Sequence, residues 1–164
     1  SEDELGTRLS AFSLTIRQDA VAESPRMPLE VAYQSSKTFR SNGRLTQAAD
    51  LAPREAKRLA AEMHSVYDLT GFQWNGYFLP LNPSTSFYDW LFVQAVRQDR
   101  DLSRPIIGYD AFTDIKGNPL RSLSSQAQSA ALFVGPSIHD ELETAVAMME
   151  SFLSFEAKQW GAAE

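Results

Sequence analysis

The chain has 164 residues, 43% of them apolar and 22% charged, with a net charge of −6 and no cysteine. That length and balance predict one globular domain with a real core, and they exclude a disulfide framework, a thiolate nucleophile and a zinc–sulfur site. The excess of acid argues against a generic nucleic-acid coat protein, and no apolar run approaches the ~20 residues of a membrane span.

The elements follow in chain order. Phe12, Leu14 and Ile16 alternate with Ser13, Thr15 and Arg17, which predicts a half-buried strand. Asp19 to Met27 reads as a polar loop. Pro28 then opens a helix through Phe39, since a missing N–H costs nothing in a first turn. On that helix Glu30, Gln34 and Lys37 fall within about 60° of one another. The rest of its circumference is apolar, with Leu29, Val31, Ala32, Tyr33 and Phe39. The polar stripe is either the wetted edge of an amphipathic helix or the lining of a cleft; an apolar remainder favours the cleft. Asn42-Gly43 is the stop signal.

Pro53 opens a second helix, with Ala56, Leu59, Ala60 and Met63 at helical spacing and Arg54, Lys57 and Arg58 on the other side. Phe72 to Trp74, Asn75-Gly76 and Tyr77 to Leu79 form a hairpin signal, because a type I′ turn wants that dipeptide. Ser86-x-x-Asp89 resembles a capping box for a helix to about Arg97, with Trp90 and Leu91 facing inward. Ser103 and Pro105 suggest a short helix before Tyr109. Asp110 to Leu120 is a polar loop, Leu123 to Phe133 a small-residue helix broken by Gly135-Pro136, and 138–160 a last helix. The expected fold is a helix-rich α+β single domain over 1–164 with a small sheet, its core at about 9–133.

Charge is unevenly spread. Lys37, Arg40, Arg44, Arg54, Lys57 and Arg58 face only Asp50 and Glu55, whereas beyond Ser137 acids dominate. The basic stretch either meets phosphates or is a solvated face. No phosphate-cradling glycine loop and no serine nucleophile elbow occurs. His64 and His139 lack metal-ligand spacing. What remains is amine and carboxylate chemistry: a desolvated lysine attacks a carbonyl-like carbon, and a nearby glutamate moves protons. The same glutamate opposes the attack by holding the lysine charged.

Two stretches carry a resemblance. Leu9-Ser10-Ala11-Phe12 and Glu30-Val31-Ala32-Tyr33-Gln34-Ser35-Ser36-Lys37 resemble the Leu-Ser-Asn-Phe and Glu-x-x-Tyr-Gln-x-x-Lys elements of the NADAR (YbiA-like) proteins, with Ala11 replacing the asparagine. Phe87 to Leu91 and Tyr109 to Ile115 are similar to the NADAR proteins encoded beside DarT-type DNA ADP-ribosyltransferase toxins. The resemblance spans roughly Leu9 to Phe133.

It implies cleavage of an N-glycosidic bond between ADP-ribose and a base. Lys37 would capture ring-opened C1″ as a Schiff base, Glu30 would shuttle protons, and Gln34 would orient the substrate. Phe12 and Trp90 are either base-stacking platforms or core aromatics. Ser10 and Asp110 are implied as substrate contacts, and Asp114 as a ribose- or catalysis-related acid or else a loop cap. The wider family's Asp-x-x-Trp-Gly is Asp114-Ile115-Lys116-Gly117-Asn118 here, so a tryptophan contact is missing. Arg54, Lys57 and Arg58 would meet the polynucleotide.

The expected activity is removal of ADP-ribose from guanine in DNA, as antitoxin to a DarT-type toxin. No metal or cofactor is needed and no membrane is involved; with no signal-peptide pattern, a cytoplasmic location is expected. The alternatives are an N-glycosidase for a small ribosyl-amine metabolite such as a riboflavin precursor, and a non-catalytic antitoxin that sequesters the toxin.

Overall fold

The computed structural model describes residues 4–18, 24–81, 85–113 and 126–137. In chain order the elements are α1 (Glu4–Arg8), β1 (Thr15–Arg17), β2 (Arg26–Pro28), α2 (Leu29–Ser36), β3 (Lys37–Phe39), β4 (Gly43–Arg44), a 3₁₀ helix (Thr46–Asp50), α3 (Pro53–His64), β5 (Leu69–Trp74), β6 (Tyr77–Leu79), α4 (Ser86–Arg97), α5 (Arg100–Ile106) and α6 (Gln126–Ser137). This is the expected helix-rich α+β composition with small antiparallel sheets. The chain divides into two compact units, Ser10–Leu81 and Ser1–Leu9 with Asn82–Glu164. Asp114, the expected start of a helix at Leu123 and the expected helix over 138–160 lie outside the described residues.

Within Ser10–Leu81, α2 is buried at every position except the half-buried Tyr33. Its first amides are met by a turn: Leu29 N–H donates to the Leu14 carbonyl at 2.8 Å, and Glu30 N–H to that of Ala11 at 2.9 Å. The turn is closed by Ser13 and Leu14 amides on the Ser10 carbonyl. The Leu-Ser-Ala-Phe element is therefore the N-terminal cap of the Glu30 helix, satisfying donors that a helix start leaves open.

The helix ends five residues before Asn42, which corrects the sequence reading. Lys37 is already extended, at φ −61° and ψ 134°. One local and one long-range influence stop the helix. Ser35 and Ser36 hydroxyls donate to the Ala32 carbonyl at 3.3 and 2.7 Å, competing with the backbone. Thr38 and Phe39 are strand formers and pair with β5, in the register Lys37↔Phe72, Thr38↔Gly71 and Phe39↔Leu69. Lys37 thus starts a strand in the sheet β4-β3-β5-β6 rather than continuing the helical stripe.

The Asn75-Gly76 hairpin forms as expected. Both residues have positive φ, 49° and 82°, and Trp74 faces Tyr77. The alternation at the N-terminus holds for Leu14 and Ile16, which are buried, but β1 starts only at Thr15 and Phe12 stays in the turn. Arg26 and Met27, read as loop, and Pro28, read as the first turn of the helix, form β2: it pairs with β1, and the Arg26 guanidinium donates to the Thr15 hydroxyl and carbonyl at 2.7 and 2.8 Å. Val31, Phe39, Leu45, Ala48, Ala56 and Ala60 form the core, so the predicted apolar face of α3 is the packed one.

In the other unit α4 covers the predicted span and is almost wholly buried. Its start is not a capping box. Thr85 is the N-cap, Ser86 is buried, and the buried Asp89 accepts a hydrogen bond from the Ser129 hydroxyl of α6. The short helix before Tyr109 is α5, capped by the Asp99 carboxylate on the Asp101 amide at 3.0 Å. The helix α6 runs through Gly135 to Ser137 instead of breaking there.

Candidate active site

Three elements of Ser10–Leu81 converge on Lys37. The helix α2 supplies Glu30, Tyr33 and Gln34, the start of β3 supplies Lys37, and α3 supplies Lys57 and His64. Glu30, Gln34 and Lys37 are all buried, at 5%, 5% and 8% exposure, so the polar stripe is enclosed rather than a wetted edge. Strand pairing at Lys37↔Phe72 fixes the lysine backbone. Its Nζ sits 5.1 Å from the centre of the Tyr33 ring, which in turn packs on Phe72 at 5.3 Å.

Glu30 and Gln34 form one hydrogen-bonded unit, Gln34 Nε2 donating to Glu30 Oε1 at 2.9 Å. A carboxylate only accepts, so it fixes the amide orientation and leaves Gln34 Oε1 as the outward acceptor. That oxygen is buried and has no partner among the described residues. A buried acceptor without a donor is costly. A hydroxyl or N–H of a bound ligand would satisfy it.

Lys57 reaches Glu30 Oε1 at 3.7 Å and lies 5.6 Å over the Phe12 ring. It was expected on the polynucleotide-facing side of α3 with Arg54 and Arg58; like them it is exposed, at 61% of its side chain, while its amine reaches the buried Glu30. At 100° per residue Lys57 and His64 share an angle at the border of the Ala56 and Ala60 stripe. The two alanines let α3 approach α2 closely. Arg54 and Arg58 remain on the exposed side, where Arg58 pairs with Glu62 at 3.9 Å. His64 was considered in the sequence only as a metal ligand and dropped for lack of paired-ligand spacing. Its Nε2 is 3.0 Å from Lys37 Nζ, and its ring stands edge-on to Phe39 at 5.0 Å and 78°. The seven-residue spacing from Lys57 was the available signal.

Burial is the main cause that lowers the Lys37 amine from 10.5 to about 8. Glu30 works against it and raises the value, while the Lys57 charge lowers it again. The carboxylate that would hold the lysine charged is thus offset by a second cation. At pH 7 roughly a tenth of such an amine is neutral, against fewer than about one in a thousand of an ordinary lysine. Desolvation and the Lys37 charge hold His64 below its usual 6.5.

The remaining expected residues are placed as follows. Phe12 is 42% exposed, not a core aromatic. The Ser10 hydroxyl accepts from the Phe12 amide at 3.3 Å, so it shapes the turn. Trp90 is a buried aromatic of the other unit, its plane 15° from that of Phe87. Asp110 is exposed in that unit, beyond α5. Asp114 falls outside the described residues.

A buried lysine whose amine is lowered to about 8, near a carboxylate–amide pair, has the chemistry a nucleophilic amine needs, and the chain matches a known family. Residues 1–163 match the model of the DarT1-associated NADAR antitoxin family. The chain is a member of that family. No curated protein matches it. In this NADAR antitoxin the two motif elements have a physical relation: Leu-Ser-Ala-Phe caps the helix that carries Glu30, and the same turn presents Phe12 beneath Lys57. Among the described residues no helix is long and apolar enough to cross a membrane.

Proposed function

We propose that this NADAR antitoxin is an ADP-ribosyl glycohydrolase that removes ADP-ribose from guanine in DNA and so reverses the action of a DarT-type toxin in the cytoplasm. Lys37 carries the proposal: an amine 8% exposed, lowered to about 8, on a backbone held by strand pairing. A protein that merely sequestered a toxin would have no use for a desolvated amine, which lowers stability. Family membership supports the antitoxin role.

The chemistry balances without a metal or cofactor. The C1″–O4″ bond of the ribosyl group opens as the base nitrogen pushes its electron pair toward C1″, and O4″ takes a proton. The Lys37 amine adds to C1″ and gives up a proton. The base nitrogen takes a proton and leaves with the electron pair of its C1″ bond, and C1″ becomes an imine of Lys37. Water adds to the imine, Lys37 departs as amine, and ADP-ribose closes its ring. Glu30, hydrogen-bonded by Gln34 and 3.7 Å from Lys57, would give the departing base nitrogen its proton. The free acceptor Gln34 Oε1 suits a ribose hydroxyl.

A small ribosyl-amine substrate is the second reading. The amine of the exposed Lys57 lies 3.7 Å from the buried Glu30 carboxylate, so one of the three basic residues of α3 is shared between the surface and the site, and the site itself needs no polynucleotide to be complete.

The deciding experiment incubates the protein with an oligonucleotide ADP-ribosylated on guanine and follows free ADP-ribose. Release is expected, and borohydride is expected to trap reduced ADP-ribose on Lys37. Lys37→Ala and Lys37→Arg should both be inactive yet folded, since arginine stays protonated and forms no imine. No release by the parent protein overturns the proposal, and an active Lys37→Ala variant overturns the covalent role.

A further inference from the structure

The buried lysine needs a route to lose its proton, and Glu30 is not that route in the resting site. Among the described residues it makes no hydrogen bond to Lys37; its Oε1 accepts from Gln34 and lies 3.7 Å from the Lys57 amine. The group that touches Lys37 Nζ is His64, at 3.0 Å. We propose that His64 is the proton outlet of Lys37: a base that takes the ammonium proton from the buried amine and passes it to water, making Lys37 and His64 a nucleophile–base pair. The proposal rests on Lys37 being the nucleophile of the reaction above.

The placement of His64 fits this role. Lys37 is enclosed, whereas His64, the last residue of α3, is exposed, so one hydrogen bond spans from the interior to solvent. The edge-on contact with Phe39 fixes the ring orientation. An ammonium donates to Nε2 only if that nitrogen carries a lone pair, so the outlet works from a neutral ring with its proton on Nδ1. The proton moves from Nζ to Nε2, then from the ring to water. The neutral ring then accepts an N–H from the neutral amine, which leaves the Nζ electron pair free to point at C1″. Other groups acting on Lys37 are Glu30 and Tyr33 from α2 and Lys57 from α3. Among these, Lys57 is a cation, and none is hydrogen-bonded to Nζ as His64 is among the described residues. A base held below its ordinary value gives up the proton readily at neutral pH, as an outlet must.

The test uses two readouts on the parent protein, His64→Gln and His64→Ala. Glutamine still accepts a hydrogen bond from Lys37 but cannot carry its proton. The first readout is substrate-independent: ribose 5-phosphate with cyanoborohydride, scoring the Lys37 adduct by peptide mass against pH. The second is ADP-ribose release from the modified oligonucleotide. Both variants should lose at least about tenfold in adduct rate near neutral pH, with the loss shrinking as pH rises, and imidazole should rescue His64→Ala. Thermal melting controls for folding. If His64→Gln forms adduct at the parental rate across the pH range, or imidazole restores nothing to a folded His64→Ala, the outlet role is wrong. If adduct formation depends on His64 but no ADP-ribose is released by the parent, the pair stands and the glycohydrolase reading falls. If the parent releases ADP-ribose and both variants match it, the reading stands and the pair falls.

Discussion

At the scale of single residues, the site is a balance of charges around one amine, and each neighbour shifts it in a known direction. Burial lowers Lys37, Glu30 raises it and Lys57 lowers it, to a net value of about 8. Because only the neutral amine attacks, adduct formation on Lys37 should increase with pH and level off above about 8. Glu30→Gln removes the raising influence, so the midpoint should move down and probe capture at neutral pH should become faster. Turnover of the ADP-ribosylated oligonucleotide should nonetheless fall by about 10²–10⁴, the usual contribution of a general acid–base group. Lys57→Met should move the midpoint up and slow capture at neutral pH. Midpoints that do not move in opposite directions in these two variants would remove the electrostatic account. The polar grouping of Glu30, Gln34 and Lys37 was legible in sequence, with an enclosed cleft favoured, and all three are buried. The contacts of Lys57 with Glu30 and of His64 with Lys37 were not, because they depend on how α3 packs through Ala56 and Ala60 on the core shared with α2.

At the scale of elements, the position of Lys37 is decided by strand pairing rather than helical periodicity. A helix drawn from Pro28 to Phe39 satisfies the polar stripe, yet Thr38 and Phe39 lose less by joining β5 than by continuing a helix. No local pattern announces a partner strand more than thirty residues on, although Ser35-Ser36 before Thr38-Phe39 marks a weak helix end. The hairpin was legible because its constraint is local: Asn75 and Gly76 adopt the left-handed turn that the dipeptide favours. Gly71 shows the opposite case. A Cβ there would lie 2.5 Å from the Leu79 carbonyl oxygen and from Phe78 Cζ. The phenyl ring can rotate away, but the carbonyl belongs to the adjacent strand. Gly71→Ala should therefore cost about 1–3 kcal/mol, the usual penalty for overpacking, read from thermal or urea unfolding. Since β5 also pairs with the strand that carries Lys37, adduct formation should fall in the same variant below its melting temperature. An unchanged midpoint of unfolding would show that the strands separate at little cost.

At the scale of the whole chain, a net charge of −6 gives no general attraction for DNA, so a polynucleotide substrate must be held by a local basic surface. The sequence offers Arg54, Lys57 and Arg58 together, and all three are exposed on α3, but Lys57 also contacts Glu30. Lys57 belongs to the site through Glu30, and reversing its charge would damage chemistry and binding at once. Arg54 and Arg58 stay exposed on α3, and the Arg58 pair with Glu62 is too exposed to resist competition by a phosphate. The clean test of a nucleic-acid face is thus Arg54→Glu with Arg58→Glu, leaving Lys57 in place. Each lost phosphate contact lowers the slope of log affinity against log salt by about 0.7 for single strands and 0.9 for duplex. The double variant should flatten that slope by about 1.4 to 1.8 and weaken the modified oligonucleotide while leaving free ADP-ribose binding within about twofold. Filter binding across a salt series, with calorimetry for ADP-ribose, separates the two effects. A parental slope in the double variant would mean that α3 is a solvated face, and turnover that tracks only the ribosyl-amine bond would then favour a small metabolite as substrate.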